Sequence, residues 1–558
     1  MNKILSLIPK SFRGRGYVVL ASIPLRAIMD LVGLAVLLPL LFVVLDTGDV
    51  GANKILNFIQ GCISTDGTDL YLISIGLVIC FLIIKNLLNL LLLKLQNEYL
   101  LGLYKFFSKR KFTQLYNEGL LFIKQSNISR LTYDVNAVCY TFVVGYLSSI
   151  MKFIGDVFFM IILLVALWIY NPLSAFFVLL SFIPVVLIYV FLVRKRLKIY
   201  GKLEMENKRD QHKLVMETFR GYSEMRVNNA YNHIISEFDK GLDSISKYRV
   251  KTNIIQSLPF YLLELVVAIE IGAMVVFSVN AGDSSMRLFL GVFAVAMVRL
   301  IPTVRSLISS WSSIKSSNYT VDVIKDIQNE VPIPAKDVSE MIFRDAIYVN
   351  NLSFAYEEDY IIKNLTFKID RGDRFGIKGK TGSGKSTLFN LLLGLFQSKE
   401  GEVYIDSQKL TQDNVSSWHK IVGYVPQDVF IADGSILENI ALGEDKKQIN
   451  MDRVNSVIKL SSLQEFVLSL PNGVDTLVGD CGSRISGGQK QRIGIARALY
   501  KGAKVLFFDE ASSSLDVQTE KEINDEILKL SERDKELTMI IISHRPDSLK
   551  ICNKILEL

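Results

Sequence analysis

Nine consecutive residues, Gly379, Lys380, Thr381, Gly382, Ser383, Gly384, Lys385, Ser386 and Thr387, have the types and spacing of a phosphate cradle. Glycines let the backbone curl so that its N–H groups converge on phosphate oxygens, and a helix starting at the end of the loop adds partial positive charge. The flanks fit that geometry. Arg374, Phe375, Gly376 and Ile377 read as a strand, and the apolar run 388–395 reads as a helix. In this setting Lys385 reaches the β- and γ-phosphates of a nucleotide, and the Ser386 hydroxyl binds Mg²⁺. A second acidic element follows much later, where Val505, Leu506, Phe507 and Phe508 run into Asp509 and Glu510. An apolar strand ending in two acids puts carboxylates at the edge of a sheet beside the phosphate loop. Asp509 is expected to hold Mg²⁺ through water, and Glu510 to position or deprotonate the attacking water. Strands often end in Asp-Glu by chance; the pairing with the loop carries the functional reading.

The elements that must position these groups occupy only part of a chain of 558 residues, which is too long for one domain. Half of the residues are apolar and 21% are charged, and the apolar excess lies before about residue 315. The expected division is a transmembrane domain over 1–315, a linker over 316–341 and a nucleotide-binding domain over 342–558. A bilayer core takes about 20 apolar helical residues. Six stretches reach that length: 17–45, 70–94, 140–169, 172–194, 256–280 and 287–313. The expected fold is therefore an α-helical membrane domain of six spans followed by an α/β P-loop domain.

Loop charge sets the orientation. Segment 46–70 carries Asp46, Asp49, Asp66 and Asp69 against Lys54, so it faces outward; 95–135 and 195–255 are rich in Lys and Arg and face the cytoplasm. Both termini are then inside. The two basic segments lack breakers over long stretches, so the membrane helices are expected to continue into the cytosol. Each hairpin turns near 123–128 or 219–230, and these tips are expected to meet the ATP-hydrolysing half. The net charge of +7 follows from this orientation and calls for no nucleic acid. The first apolar stretch exceeds the 7–15-residue core of a signal peptide, so it reads as a retained helix. Residues 53–59 are too short to cross, and fit either an outer-interface helix or a loop helix packed on the protein.

Charges within the spans need partners or a wet surface. Arg26 with Asp30, and Lys152 with Asp156, are four apart and can neutralise each other along one helix. Glu264 and Glu270 lie on the fifth span. On the sixth, Arg305 lies about 27 Å from Arg287 and can snorkel to the interface, whereas Arg299 lies about 18 Å in and calls for a water-filled cavity. Arg299 is the candidate substrate contact. Five dispersed cysteines, Cys62, Cys80, Cys139, Cys481 and Cys552, read as buried free thiols. His212, His233 and His419 lack metal spacing, and His419 beside Trp418 reads as local packing.

Ile485, Ser486, Gly487, Gly488 and Gln489 resemble the L-S-G-G-Q signature of ATP-binding cassette transporters. The rest of the cassette set stands in order. The resemblance implies that Tyr356 stacks on adenine, that Gln427 links the metal site to the membrane helices, and that His544 contacts the γ-phosphate. It also implies that Ser513, Ser514, Leu515 and Asp516 form the D-loop and that 476–482 precedes the signature as in exporters. It covers the chain as in half-size exporters, and so implies ATP and Mg²⁺ as ligands, and a homodimer in which two cassettes sandwich two ATP molecules. Each ATP would lie between one copy's phosphate loop and the signature of the other copy, where Ser486 and the glycine backbone at a helix start form a second anion site. Two departures, Ile485 for leucine and Asp480 where glutamate is common, leave the catalytic set intact. Relatives usually continue beyond Leu558, so the C-terminus reads as trimmed or incomplete.

Motifs for power do not name a cargo. No peptidase-like segment precedes the first span, which disfavours exporters that cleave their cargo's leader. Asp30 in the first span, the candidate interface helix, and Val298, Arg299, Leu300, Ile301 and Pro302 resemble bacterial lipid-linked oligosaccharide flippases of the inner membrane. That likeness implies an undecaprenyl-pyrophosphate-linked glycan, whose pyrophosphate suits Arg299. The alternatives are an exporter of lipid A-like lipids, peptides or drugs, and a non-transporting cassette ATPase of DNA repair or translation, which six spans oppose.

Overall fold

The computed structural model describes residues 8–36, 67–170, 194–281, 284–326, 340–479, 482–510, 517–543 and 545–558, with isolated positions between 171 and 193. Contacts divide the chain into two units: Met1–Glu118 with Gln125–Val331, and Gly119–Lys124 with Pro332–Leu558.

The first unit is helical. Helices α1 (Lys10–Ala35) and α2 (Gly67–Asn117) precede the short α3 (Gly119–Gln125), which belongs to the second unit except for its last residue. The chain then passes through Ile128–Tyr133 and two π-helical stretches, Asp134–Val138 and Thr141–Leu147, into α4 (Ser148–Tyr170). Helices α5 (Arg194–Arg220), α6 (Tyr231–Ala281) and α7 (Ser284–Ser316) complete it. Among the described residues five helices are long and apolar enough to cross a membrane. The expected span 172–194 falls largely outside the described residues, although Ala175 and Val178 are buried in the helical core. Segment 46–70, with its candidate interface helix at 53–59, also falls outside apart from the start of α2.

Helices α2 and α6 each run 51 residues, about 76 Å at 1.5 Å per residue. A bilayer core of about 30 Å accounts for less than half of that length. The remainder projects beyond it, as the lack of breakers in the basic segments predicts. Helix α2 exposes Ile79, Ile83, Leu87 and Leu91, a face that only lipid or another apolar surface can cover. Cys80 shares it: it is exposed, whereas Cys139 is buried and Cys552 half-buried. The expectation of buried thiols therefore fails at Cys80, because in a membrane the outside of a helix is as apolar as the core. Cys62 and Cys481 lie outside the described residues.

The expected pairing of Arg26 with Asp30 gives way to a contact between helices, whereas Lys152 keeps a charge interaction with Asp156. Asp30 pairs with Lys85 of α2 at 2.9 Å and accepts from Asn89 Nδ2 at 3.1 Å. Asp156 of α4 accepts from the Ser306 hydroxyl of α7. Arg305 places its guanidinium 5.1 Å from the ring centroid of Phe260 on α6, a cation–π contact.

In the second unit, strands β1 (Ala346–Ala355) and β2 (Tyr360–Asp370) precede β3 (Arg374–Lys378), which leads through the phosphate loop into α8 (Lys385–Leu392). Next come β4 (Glu400–Ile405), β5 (Gln408–Lys409) and β6 (Val422–Val425), then helix α9 (Gly487–Tyr500) and strand β7 (Val505–Asp509). Helix α10 (Val517–Arg533) and strands β8 (Thr538–Ile542) and β9 (Lys554–Glu557) close the chain. Strands β2-β1-β4-β5 form an antiparallel sheet, and β6-β7-β8-β3-β9 form a parallel one. Strands β7 and β8 are buried almost throughout, which is why they read as unbroken apolar runs. Phe389 of α8 meets Phe507 of β7 edge-on at 5.2 Å. Ile493 of α9 and Ile527 of α10 belong to a second cluster with Leu506 and Phe508. Leu120 and Leu121 of α3 pack on the same cluster as Leu392 and Phe396.

Candidate functional site

The phosphate loop leaves the C-terminal end of β3, the edge at which parallel α/β sheets bind ligands. Gly382 and Gly384 have φ of +85° and +94°, values that disfavour any side chain, and Gly384 is the N-cap of α8. The Lys385 ammonium donates to the carbonyls of Gly379 (3.0 Å) and Lys380 (2.9 Å) and so lies across the loop. Burial lowers its pKa, and the charges of Glu510 and Asp509 oppose that shift. The Ser383 hydroxyl is buried with no hydrogen-bond partner. A cradle with an orphaned donor at its centre fits a phosphate oxygen. Ser386 is exposed on the first turn of α8. The other end of α8 is tied down as well: Trp418 Nε1 donates to Leu392 O at 3.0 Å and His419 Nε2 to Leu393 O at 2.7 Å. His419 is thus a helix C-cap partner, a sharper role than local packing.

Asp509 ends β7, which is separated from β3 by β8. Burial raises its pKa and the adjacent Glu510 charge adds to the shift, against the Tyr424 hydrogen bond and the charges of Lys124 and Lys385. Tyr424 on β6 reaches Asp509 Oδ2 at 3.5 Å. Glu510 has a φ of +47° and its N–H donates to Ile542 O at 3.0 Å. A non-glycine residue in this region costs of order 1–3 kcal/mol, a strain typical of functional sites. The bend turns its carboxylate to Gln427, whose Nε2 donates to Glu510 Oε2 at 3.3 Å. Gln427 is held in turn by Gln491 Nε2, which donates to its carbonyl at 2.7 Å. A hydroxyl, a carboxylate and an amide oxygen from Ser386, Asp509 and Gln427 form an oxygen-donor set suited to Mg²⁺. Tyr356 is 40% exposed, braced edge-on by Phe354 at 5.2 Å, with its hydroxyl 3.3 Å from Thr387 Oγ1. Its free face can stack on a base.

Ser486 caps α9 through a reciprocal box with Gln489: Gln489 N–H donates to Ser486 Oγ at 3.3 Å, and Ser486 N–H to Gln489 Oε1 at 2.8 Å. That leaves the N–H groups of Gly487 and Gly488 directed out of the helix start. The fold does not bring this group to the phosphate loop of the same chain. Helix α9 packs on β6, three strands from β3 in the sheet, or about 14 Å at 4.8 Å per strand. His544, the D-loop at 513–516 and Asp480 lie outside the described residues. Sequence reasoning missed Tyr424 and the Trp418–His419 cap. The only signal for Tyr424 was its place three residues before Gln427.

The first unit holds a separate candidate. A cavity of about 1080 Å³ lies among α1, α2, α4 and α7, lined by Arg26, Asp30, Lys152, Asp156 and Arg299 among others. Arg26 and Lys152 stand close enough to Asp156 for charge interaction, and Asp30 is taken by Lys85. Arg299 is exposed to this space, with no carboxylate at ion-pair distance among the described residues. The sequence anticipated Arg299; it did not place Arg26 and Lys152 beside it.

Residues 362–513 match the family model described as ABC transporter. A putative export ATP-binding/permease protein of Rickettsia felis is 30% identical over 440 residues, covering 77% of this chain and 74% of its own. An ATP-dependent lipid A-core flippase of Francisella tularensis is 29% identical over 442 residues, covering 77% of this chain and 70% of its own. The structure of a bacterial Atm1-family ABC exporter with ATP bound superposes with a TM-score of 0.77 at 21% identity, over 97% of this chain and 94% of that one.

Proposed function

The chain belongs to the ABC transporter family, as an exporter that couples ATP hydrolysis to transport across a membrane, and on that premise we propose that it flips a lipid-linked oligosaccharide as a homodimer. The carrying observation is the cavity in which Arg26, Lys152 and Arg299 converge from three helices. Asp30 is paired with Lys85, and Arg26, Lys152 and Arg299 outnumber the remaining Asp156, so the surplus is positive and suits a pyrophosphate. On this proposal the protein lies in the bacterial inner membrane, and loop charge supports a cassette on the cytoplasmic side.

At the cassette, Tyr356 stacks on adenine, and the loop 379–387 wraps the phosphates with Lys385 on the β and γ oxygens. Ser386, Gln427 and Asp509 hold Mg²⁺, Asp509 through water. The cation supplies charge neutralisation at the β- and γ-phosphates. Glu510 orients or deprotonates the attacking water, and His544 contacts the γ-phosphate. Ser486 and the N–H groups of Gly487 and Gly488 complete the site from a second copy, because α9 lies three strands from β3 in its own chain.

A second reading, export of a lipid A-like lipid, is favoured by the name of the Francisella relative. Proteoliposome flipping of the two lipid classes separates them. Arg299→Ala is expected to abolish flipping of the pyrophosphate-linked lipid while basal ATPase is largely kept. Undiminished flipping in that variant overturns the cavity reading, and stimulation by lipid A-like lipids alone favours the second.

A further inference from the structure

A second, smaller space lies beside the cavity, and its chemistry is different. It measures about 80 Å³ and is lined by α1, α2 and α4, with Gly16, Tyr17, Leu20, Tyr99, Leu103 and Ile150 among its walls. Leu100 and Met151 line both spaces. On every helix the slot residues lie toward one end. They precede the cavity residues on α1 and mostly on α4, and follow them on α2, so the slot lies toward the end from which α2 continues to α3. Tyr17 and Leu20 are exposed as well as lining it, so it opens to the lipid side.

Two features of the slot bear on what it can hold. Tyr99 lines the slot and is only 8% exposed, and its buried hydroxyl has no hydrogen-bond partner among the described residues. A buried hydroxyl left unpaired carries a desolvation cost that a ligand acceptor recovers. Gly16 makes the room, since a Cβ there would lie 2.7 Å from that hydroxyl. Around it the first turn of α1 carries Lys10 and Arg13 and no acid, at the positive end of the helix dipole. Arg13 also lines the slot and commits its Nε–H to Ile8 O at 3.2 Å, with no carboxylate paired to it among the described residues.

We propose that this slot holds an anionic phospholipid as a bound companion distinct from cargo: phosphate at Arg13 and the N-terminus of α1, an ester oxygen at the Tyr99 hydroxyl, and the first carbons of one chain in the slot. Charge complementarity selects the anionic phospholipid over a zwitterionic one, since the ester oxygen that meets the hydroxyl is common to both, and basic sites between spanning helices are where such headgroups dock. The assignment is independent of what the large cavity carries.

The test uses the full chain in nanodiscs of phosphatidylcholine with phosphatidylglycerol, and native mass spectrometry counts retained lipid. Phosphatidylglycerol is expected to be retained in preference to phosphatidylcholine. Arg13→Gln is expected to lower retention about fivefold, and Tyr99→Phe to lower it severalfold. Gly16→Leu fills the slot and abolishes it. Arg299→Ala leaves it unchanged. Equal retention of the two lipids overturns the proposal, as does wild-type retention in both Arg13→Gln and Tyr99→Phe. Loss in Arg299→Ala alone also overturns it, since the lipid would then be cargo in the cavity.

Discussion

Removing either member of the Asp30–Lys85 pair strands a charge inside the helical unit, and the two losses are unequal. The ammonium of Lys85 is 5% exposed, whereas Asp30 is 30% exposed, at the wall of the cavity. At 2.9 Å and an effective dielectric of about 20, the Coulomb attraction is about 6 kcal/mol, an upper bound on what the pair contributes. Breaking a buried pair costs about 3–5 kcal/mol, because the survivor is left without compensation. In Asp30→Leu the survivor is Lys85, packed where Gly33 leaves just enough space for it: a Cβ on Gly33 would lie 3.0 Å from its Nζ. The expected loss is near the top of that range, about 4–5 kcal/mol. In Lys85→Met the survivor is Asp30, which keeps its hydrogen bond from Asn89 and faces a cavity that can hold water. About 2–3 kcal/mol is expected there, below the range for full burial. The double variant Asp30→Leu/Lys85→Met leaves no stranded charge and is expected within about 1–2 kcal/mol of the parent. The assay is a double-mutant cycle on unfolding midpoints of the full chain in nanodiscs. Additive losses, or a greater loss in Lys85→Met than in Asp30→Leu, would refute the reasoning.

Two further outcomes concern the cassette. Glu510→Gln keeps the bend and the contact with Gln427 but cannot take a proton, so turnover is expected to fall at least about a hundredfold while ATP still binds and holds the dimer closed; steady-state ATPase and a nucleotide-trapping assay check it. Asp509 has a folded pKa above its ordinary value of 3.8, so its stabilising contribution is present below that value and is lost as pH rises through the folded pKa. Asp509→Asn is therefore expected to raise the nucleotide-free melting temperature at neutral pH, by a margin that shrinks on acidification, while Mg²⁺-dependent hydrolysis is lost; an unchanged or lowered neutral melting temperature counts against the assigned burial.

Local sequence determined the parts of this protein that are themselves local. The phosphate loop is legible because glycines at 382 and 384 must take positive φ. Strand β7 is legible because a strand buried on both faces has to be apolar throughout. The spans are legible because a bilayer demands length and apolarity and little else. Charge partners were not legible. Spacing paired Arg26 with Asp30 and Lys152 with Asp156, but side chains compete for partners in space: Asp30 is taken by Lys85, 55 residues away, and Asp156, besides the charge of Lys152, takes the hydroxyl of Ser306, 150 residues away. The same holds for Tyr424 beside Asp509, and for the cap that Trp418 and His419 place on α8, since each depends on which strand or helix lies next to which. Cys80 was misjudged because an apolar residue in a spanning helix can face lipid or core with equal ease. Only the tertiary arrangement gathers Arg26, Lys152 and Arg299 around one cavity, because three separate helices must converge before their charges share a space.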